Sequence, residues 1–211
     1  MSATQLAFDF DAMFLMDMLA DLPAWDGAPL GYHEEYRSPA ELDAAWDRYR
    51  LVHGNHGCVP QSHMWSRPYC NASTLAAGEH ALDLFSAEAH CPDEREVGHS
   101  HNPGDLPGNT RYQAICAPCG WRLLSDDESA VIEAWHDHAF PGWRELPTIP
   151  SKVTGIPGRG KSKLQGWIEE HYPDQWQMPG HPIITARGGV GTRHVPGRSP
   201  WGGYDLSDSA L

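Results

Sequence analysis

The feature that most constrains this chain is the run Cys116-Ala117-Pro118-Cys119-Gly120, two thiols two residues apart on a turn that a glycine can close. Such a turn aims both sulfurs and several backbone amides at one point, which is the arrangement a tetrahedral metal ion uses. Its flanks agree with that reading. Arg111-Tyr112-Gln113-Ala114-Ile115 has strand character, Trp121-Arg122-Leu123-Leu124 returns from the turn, and Ser125-Asp126-Asp127-Glu128 reads as a capping box that opens a helix. That helix carries Val131, Ile132, Trp135 and His136 and has to finish before Pro141-Gly142. Hairpin, knuckle and helix are therefore expected to fold back in a ββα or zinc-ribbon arrangement around one zinc ion, with Cys116, Cys119, His136 and His138 as its ligands.

Helical geometry complicates this set. Residues two apart point about 200° away from each other, so both histidines can ligate only if the helix unwinds at Asp137, as the nearby Pro141 would permit. If the helix continues, one histidine drops out and an upstream donor replaces it, with Cys91 first and His90, His99 or His101 behind it. A second group, His53, His56 and Cys58 with His63 and Cys70, has the donor types of a further metal site but no regular spacing. Glu133, one turn before Asp137, is the one candidate base for a catalytic ion, yet two thiolates and closing histidines favour a saturated, structural ion.

Composition bounds the rest. Eighteen Pro and 21 Gly in 211 residues, with a mean hydropathy of −0.51, predict much turn and loop, so that a metal would be a needed source of stability. The expected class is α+β, divided into an acidic-hydrophobic docking peptide (1–22), a helical and loop region (23–87), the zinc module (88–148) and an irregular Pro/Gly-rich extension (149–211). Within the second segment, Ser38-Pro39-Ala40-Glu41 is a capping box with Pro at the first helical position, followed by Leu42, Ala45, Trp46, Tyr49 and Val52, which predicts a helix over about 39–53. A short helix is expected at about 162–171. No apolar stretch approaches the roughly 20 residues of a membrane span, and the start lacks a basic n-region. A cytoplasmic setting follows as the expectation, in which five cysteines read as metal ligands rather than disulfides.

The formal charge of −13 is uneven. Residues 1–105 hold 17 acids against 5 Lys or Arg, whereas residues 152–198 are locally basic through Lys152, Arg159, Lys161, Lys163, Arg187, Arg193 and Arg198. The basic stretch is the candidate contact for nucleic acid. Gly155-Ile156-Pro157-Gly158-Arg159-Gly160-Lys161-Ser162 spells the phosphate-loop pattern, but Pro147 and Pro150 break the strand that would have to precede it, and nucleotide binding is not expected.

Two resemblances add to this. Gln5-Leu6-Ala7-Phe8-Asp9-Phe10 resembles the short motif by which bacterial replication and repair proteins bind the sliding clamp, in which Gln5, Leu6, Phe8 and Phe10 would be the anchors. The run from Tyr112 to Pro147, with Trp135-His136-Asp137-His138-Ala139-Phe140-Pro141-Gly142-Trp143-Arg144, and the tail from Thr192 to Leu206 resemble an uncharacterised family of actinobacteria, their phages and mobile elements. That resemblance implies that the two cysteines and two histidines form a unit to which Trp143 and Arg144 belong, and that the tail around Trp201 to Asp205 is an ordered or docking element. The expected function is a non-enzymatic, zinc-stabilised protein that contacts a host protein, with Trp143, Arg144 and Trp201 as exposed anchors. The alternatives are a metal-dependent hydrolase or nuclease using His53, His56, His63, His99 and His101, and an acidic mimic of DNA.

Overall fold

The computed structural model describes residues 23–53, 62–67, 74–89, 106–154, 161–178, 180–186 and 204–208. Helix α1 (Pro39–His53) begins at its capping box: Glu41 N–H donates to Ser38 Oγ at 3.3 Å, and the Glu41 carboxylate accepts from the Ser38 amide at 2.8 Å. The hydrogen bond from the Ser38 hydroxyl, and after it the one from the Ser38 amide, hold the Glu41 carboxyl below its usual range. Leu42 and Ala45 are the buried stripe of α1, with Trp46 and Tyr49 packed beside them.

Four strands, β1 (Thr74–Ala77), β2 (His80–Ala87), β3 (Arg111–Cys116) and β4 (Trp121–Ser125), form an antiparallel meander in that order. The first hairpin closes over two residues, Gly78 and Glu79, with Ala77 opposite His80. Gly78 sits at φ +61°, the conformation that the Gly-X form of such a loop requires of its first residue. Because side chains alternate along a strand, Leu82 and Leu84 fall on one face and Phe85 and Ala87 on the other side of the pleat. Phe85 and Ile115 pack with Ala28, Leu42, Ala45, Met64 and Trp65. Leu82, Leu84, Ala114 and Cys116 pack under α2 (Glu128–Ala139). The sheet is thus the middle of three layers.

Helix α2 is capped by Asp127, whose carboxylate accepts from Ser129 N at 2.8 Å and Ala130 N at 3.4 Å. Ser125, the N-cap expected from the sequence, is instead the last residue of β4, paired with Tyr112. Its hydroxyl accepts from the Asp127 amide at 3.1 Å and so fixes the approach to the helix. Val131, Ile132, Trp135, His136 and Ala139 form the buried face, and Trp135 Nε1 donates to the Ala81 carbonyl at 3.0 Å.

The stretch beyond residue 149, expected as an irregular extension, contributes elements and core. A helical turn α3 (Ser151–Thr154), helix α4 (Lys161–His171) and two three-residue strands, β5 (Ile183–Thr185) and β6 (Asp205–Ser207), follow. The strands pair in parallel, and Ile149 adds a bridge to Thr185. Leu164, Ile168, Tyr172, Ile183, Ile184, Tyr204 and Leu206 join the cluster beneath α2. Thr185 Oγ1 donates to the buried Asp205 carboxylate at 2.7 Å, which gives that acid a partner inside the protein. No helix among the described residues is long and apolar enough to cross a membrane.

Candidate metal centre

One end of the sheet carries both of its hairpin connections. The two-residue loop at Gly78-Glu79 leads into His80, and a tight 3-10 turn (Ala117–Cys119) joins β3 to β4 directly beside it. The turn starts from Cys116, takes Pro118 inside its first turn and ends on Gly120 at φ 63°, whose amide donates to the Ala117 carbonyl at 3.2 Å. A left-handed residue is needed there to send Trp121 back along β3, and glycine adopts it without steric cost.

His80, Cys116, Cys119 and His138 meet at this end, with one donor atom from each lying within 4.8 Å of all the others. His80 Nδ1 is 3.3 Å from Cys119 Sγ and 3.8 Å from Cys116 Sγ. Bond lengths of about 2.0–2.3 Å around a tetrahedral zinc place neighbouring ligand atoms about 3.3–3.8 Å apart, so the cluster already has nearly the required dimensions. His138 Nε2 is buried and, among the described residues, has no hydrogen-bond partner. A buried nitrogen with an idle lone pair, next to two thiols and a second imidazole, is the donor set that a soft-to-borderline divalent ion satisfies.

The electrostatics agree with a cationic guest. Cys119 is held above its ordinary thiol range first by its hydrogen bond with Cys116, then by desolvation, and further by the acidic Glu79 nearby. His138 is held below the usual histidine range by burial first and by the neighbouring His80 second, which keeps it neutral and able to ligate. Around the four donors, Ala81 N–H donates to Cys116 Sγ at 3.5 Å, and the Trp121 indole stacks on the His138 ring at 5.0 Å and 9°.

Cys116, Cys119 and His138 of the sequence-derived set are brought together, and His136 is not. Helix α2 continues through Asp137 to Ala139, so the two histidines leave it in different directions. His136 is fully buried among Trp135, Phe140, Trp143 and Tyr204, with ring centroids 4.9–6.0 Å away. Its Nδ1 meets the Ile132 carbonyl at 2.7 Å, and burial pulls its pKa down to about 4. It is a neutral core residue rather than a ligand.

The donor in its place is His80, which the sequence reading did not consider. Its signal was present: two apolar strands separated by two residues of Gly-X type mark a hairpin, and that hairpin ends beside the cysteines. Cys91, His90, His99 and His101 lie outside the described residues, as do His56, Cys58, Cys70 and the side chain of His53. His63 is buried at φ 52°, and its Nδ1 meets the Glu88 carbonyl.

Trp143, expected as an exposed anchor, is completely buried against His136. Its size and apolar surface are better used beneath α2, and its Nε1 still finds the Asp137 carboxylate at 2.8 Å. Arg144 lies over the Trp143 ring at 4.6 Å and reaches both Asp137 (2.9 Å) and Glu133 (3.2 Å). This pair clamps the end of α2 on the turn next to His138. Glu133, the candidate base, is raised by burial and engaged by Arg144. Gln5, Leu6, Phe8, Phe10 and Trp201 lie outside the described residues.

Residues 27–211 match the model of a protein family described as a family of unknown function (DUF6349). No curated protein and no solved structure matches the chain.

Proposed function

The chain therefore belongs to that family of unknown function, and we propose that within it this protein is a non-enzymatic binding platform whose shape is fixed by a structural zinc ion on His80, Cys116, Cys119 and His138. The observation that carries the reading is the convergence of four donors from four separate elements, two strands, the 3-10 turn and a helix, at one end of the sheet. Four protein ligands fill a tetrahedral ion and leave no position for a reacting water, which favours a structural role. Zinc there would tie the first hairpin, the knuckle and the end of α2 together. It would contribute folding free energy in a chain rich in Pro and Gly.

The partner we favour is a host protein of a phage or mobile element's cell, with the clamp-like motif Gln5-Leu6-Ala7-Phe8-Asp9-Phe10 as the contact; it lies ahead of the family-matched region. Cytoplasmic placement follows from the same reading, since two reduced thiols are needed as ligands.

The test is metal content by mass spectrometry on the purified chain and on His80→Ala, Cys119→Ser and His136→Leu. One zinc ion per chain is expected in the wild type and in His136→Leu, and loss of it in the other two. Retention by His80→Ala, or loss from His136→Leu, would reject the ligand set. Metal-stimulated cleavage of DNA, RNA or nucleotides by the loaded protein would reject the non-enzymatic reading. Binding to purified sliding clamp, abolished by Gln5→Ala with Phe10→Ala, tests the partner.

A further inference from the structure

The four donors differ in how their rings and sulfurs are held. Cys116 closes β3 and accepts an amide from Ala81, and His80 is fixed by the two-residue hairpin that it completes. His138 stands in the last turn of α2, one residue before the helix ends at Ala139. Among the described residues its imidazole makes no hydrogen bond, whereas the buried His136 is locked by its bond to the Ile132 carbonyl. Metal-bound histidines ordinarily owe their orientation to a hydrogen bond from the nitrogen that does not ligate. Here two ring contacts take that place: a T-shaped contact with His80 at 4.9 Å and 84°, and a stack on Trp121 at 5.0 Å and 9°. His80 is itself a proposed ligand, so among the described residues Trp121 is the one outside ring that defines the plane of His138.

We propose that Trp121 is a positioning residue of the metal centre, which holds the His138 ring against the two thiolates by stacking instead of by hydrogen bonding. Trp121 is the direct cross-strand partner of Cys116, so the same residue is registered to one sulfur through the backbone and to the helix-borne imidazole through its ring. It thereby couples the sheet half of the site to the helix half. Ligation withdraws electron density from an imidazole, and a cationic ring prefers the negative face of an indole, so the stack strengthens when the site is filled. The inference rests on the proposed metal site.

The experiment titrates the full chain, stripped of metal, with Co2+ while recording the visible ligand-field bands, and then measures zinc affinity against a chromogenic chelator. Wild type is compared with Trp121→Phe, which keeps a flat ring, and with Trp121→Leu and Trp121→Thr, two ring-free strand formers that guard against a folding failure in either. Loss of an orienting contact around a metal costs about 10–100-fold in affinity, and that is the expected loss for the ring-free variants, with an altered Co2+ band. Trp121→Phe is expected to restore wild-type binding and spectrum. Equal affinity and identical spectra across the series would overturn the proposal, as would ring-free variants that merely unfold at lower denaturant with an unchanged Co2+ spectrum. Failure of the wild type to take up either metal would overturn the metal centre, and this inference with it.

Discussion

Arg67 ties helix α1 to strand β2 through two carboxylates, and its removal has a calculable consequence. Its guanidinium donates to both oxygens of Asp43 on α1 (2.8 and 2.7 Å) and to Asp83 on β2 (2.8 Å), and lies over the Phe85 ring at 4.5 Å. The two carboxylates are not equivalent. Asp43 is 44% exposed, so solvent screening limits its pair to about 1 kcal/mol or less. Asp83 is 13% exposed, and burial raises its pKa even against the opposing effect of Arg67. Arg67→Met keeps most of the aliphatic packing on Phe85 but strands the Asp83 charge. Breaking a fully buried pair costs about 3–5 kcal/mol; with Arg67 itself 26% exposed, about 2–3 kcal/mol is the appropriate figure here. Because the folded-state pKa of Asp83 stands above its unfolded value, and further above it without Arg67, the deficit is full at neutral pH. It shrinks as pH falls towards the unfolded value of 3.8. Asp83→Asn in the Arg67→Met background removes the stranded charge and should recover about half of the loss. Urea unfolding followed by circular dichroism, at neutral pH and at pH 5, reads all of this. A deficit under about 0.5 kcal/mol, or one that Asp83→Asn leaves untouched, would refute the reasoning.

Gly120→Ala meets no atom within 4 Å of the added Cβ, so only the left-handed backbone at φ +63° resists it; a loss of about 1–2 kcal/mol in urea unfolding is expected, and a gain would contradict the geometry. Trp143→Ala opens a cavity beside His136 and removes a hydrogen bond from Asp137, so about 3–5 kcal/mol should be lost in the same assay, against no loss for an exposed anchor. Tyr172 is pushed up to about 12 by burial, while its unfolded value is 10.0. Its neutral form therefore contributes stability that is fully present below pH 10 and is lost as pH rises through 12, by about 3 kcal/mol in all. Tyr172→Phe should lose the acceptor for the Ile184 amide at pH 8 yet show a shallower decline between pH 10 and 12, as measured by melting temperature.

Elements with a strong local signature were legible. The Ser38 to Glu41 capping box placed α1, and the periodicity of Val131, Ile132 and Trp135 placed α2. What escaped was structure whose stability comes from distant partners. Strands β5 and β6 have three residues each, too few for a period-two pattern, and they are specified by their pairing with each other, by the Ile149 bridge and by the core beneath α2. The first hairpin escaped for a different reason. Residues 74–87 were read with the loops around them, although Gly78 between two apolar runs was the informative signal.

The metal centre shows the same division between local and distant information. Two thiols on a turn are a local pattern, so Cys116 and Cys119 could be read directly. The histidines required knowing where the helix points. His136 and His138 cannot both face one ion across an unbroken turn, and nothing in the local sequence says which of them looks towards the knuckle. The deciding contact is tertiary: β3 lies under α2, the apolar face of the helix centres on Ile132 and Trp135, and position 136 falls on that face whereas 138 falls at its edge. An imidazole on the apolar face is desolvated and neutral; one at the edge can reach the thiols. The vacancy left by His136 then has to be filled from a neighbouring element, and the turn that antiparallel pairing sets beside the knuckle is the one carrying His80.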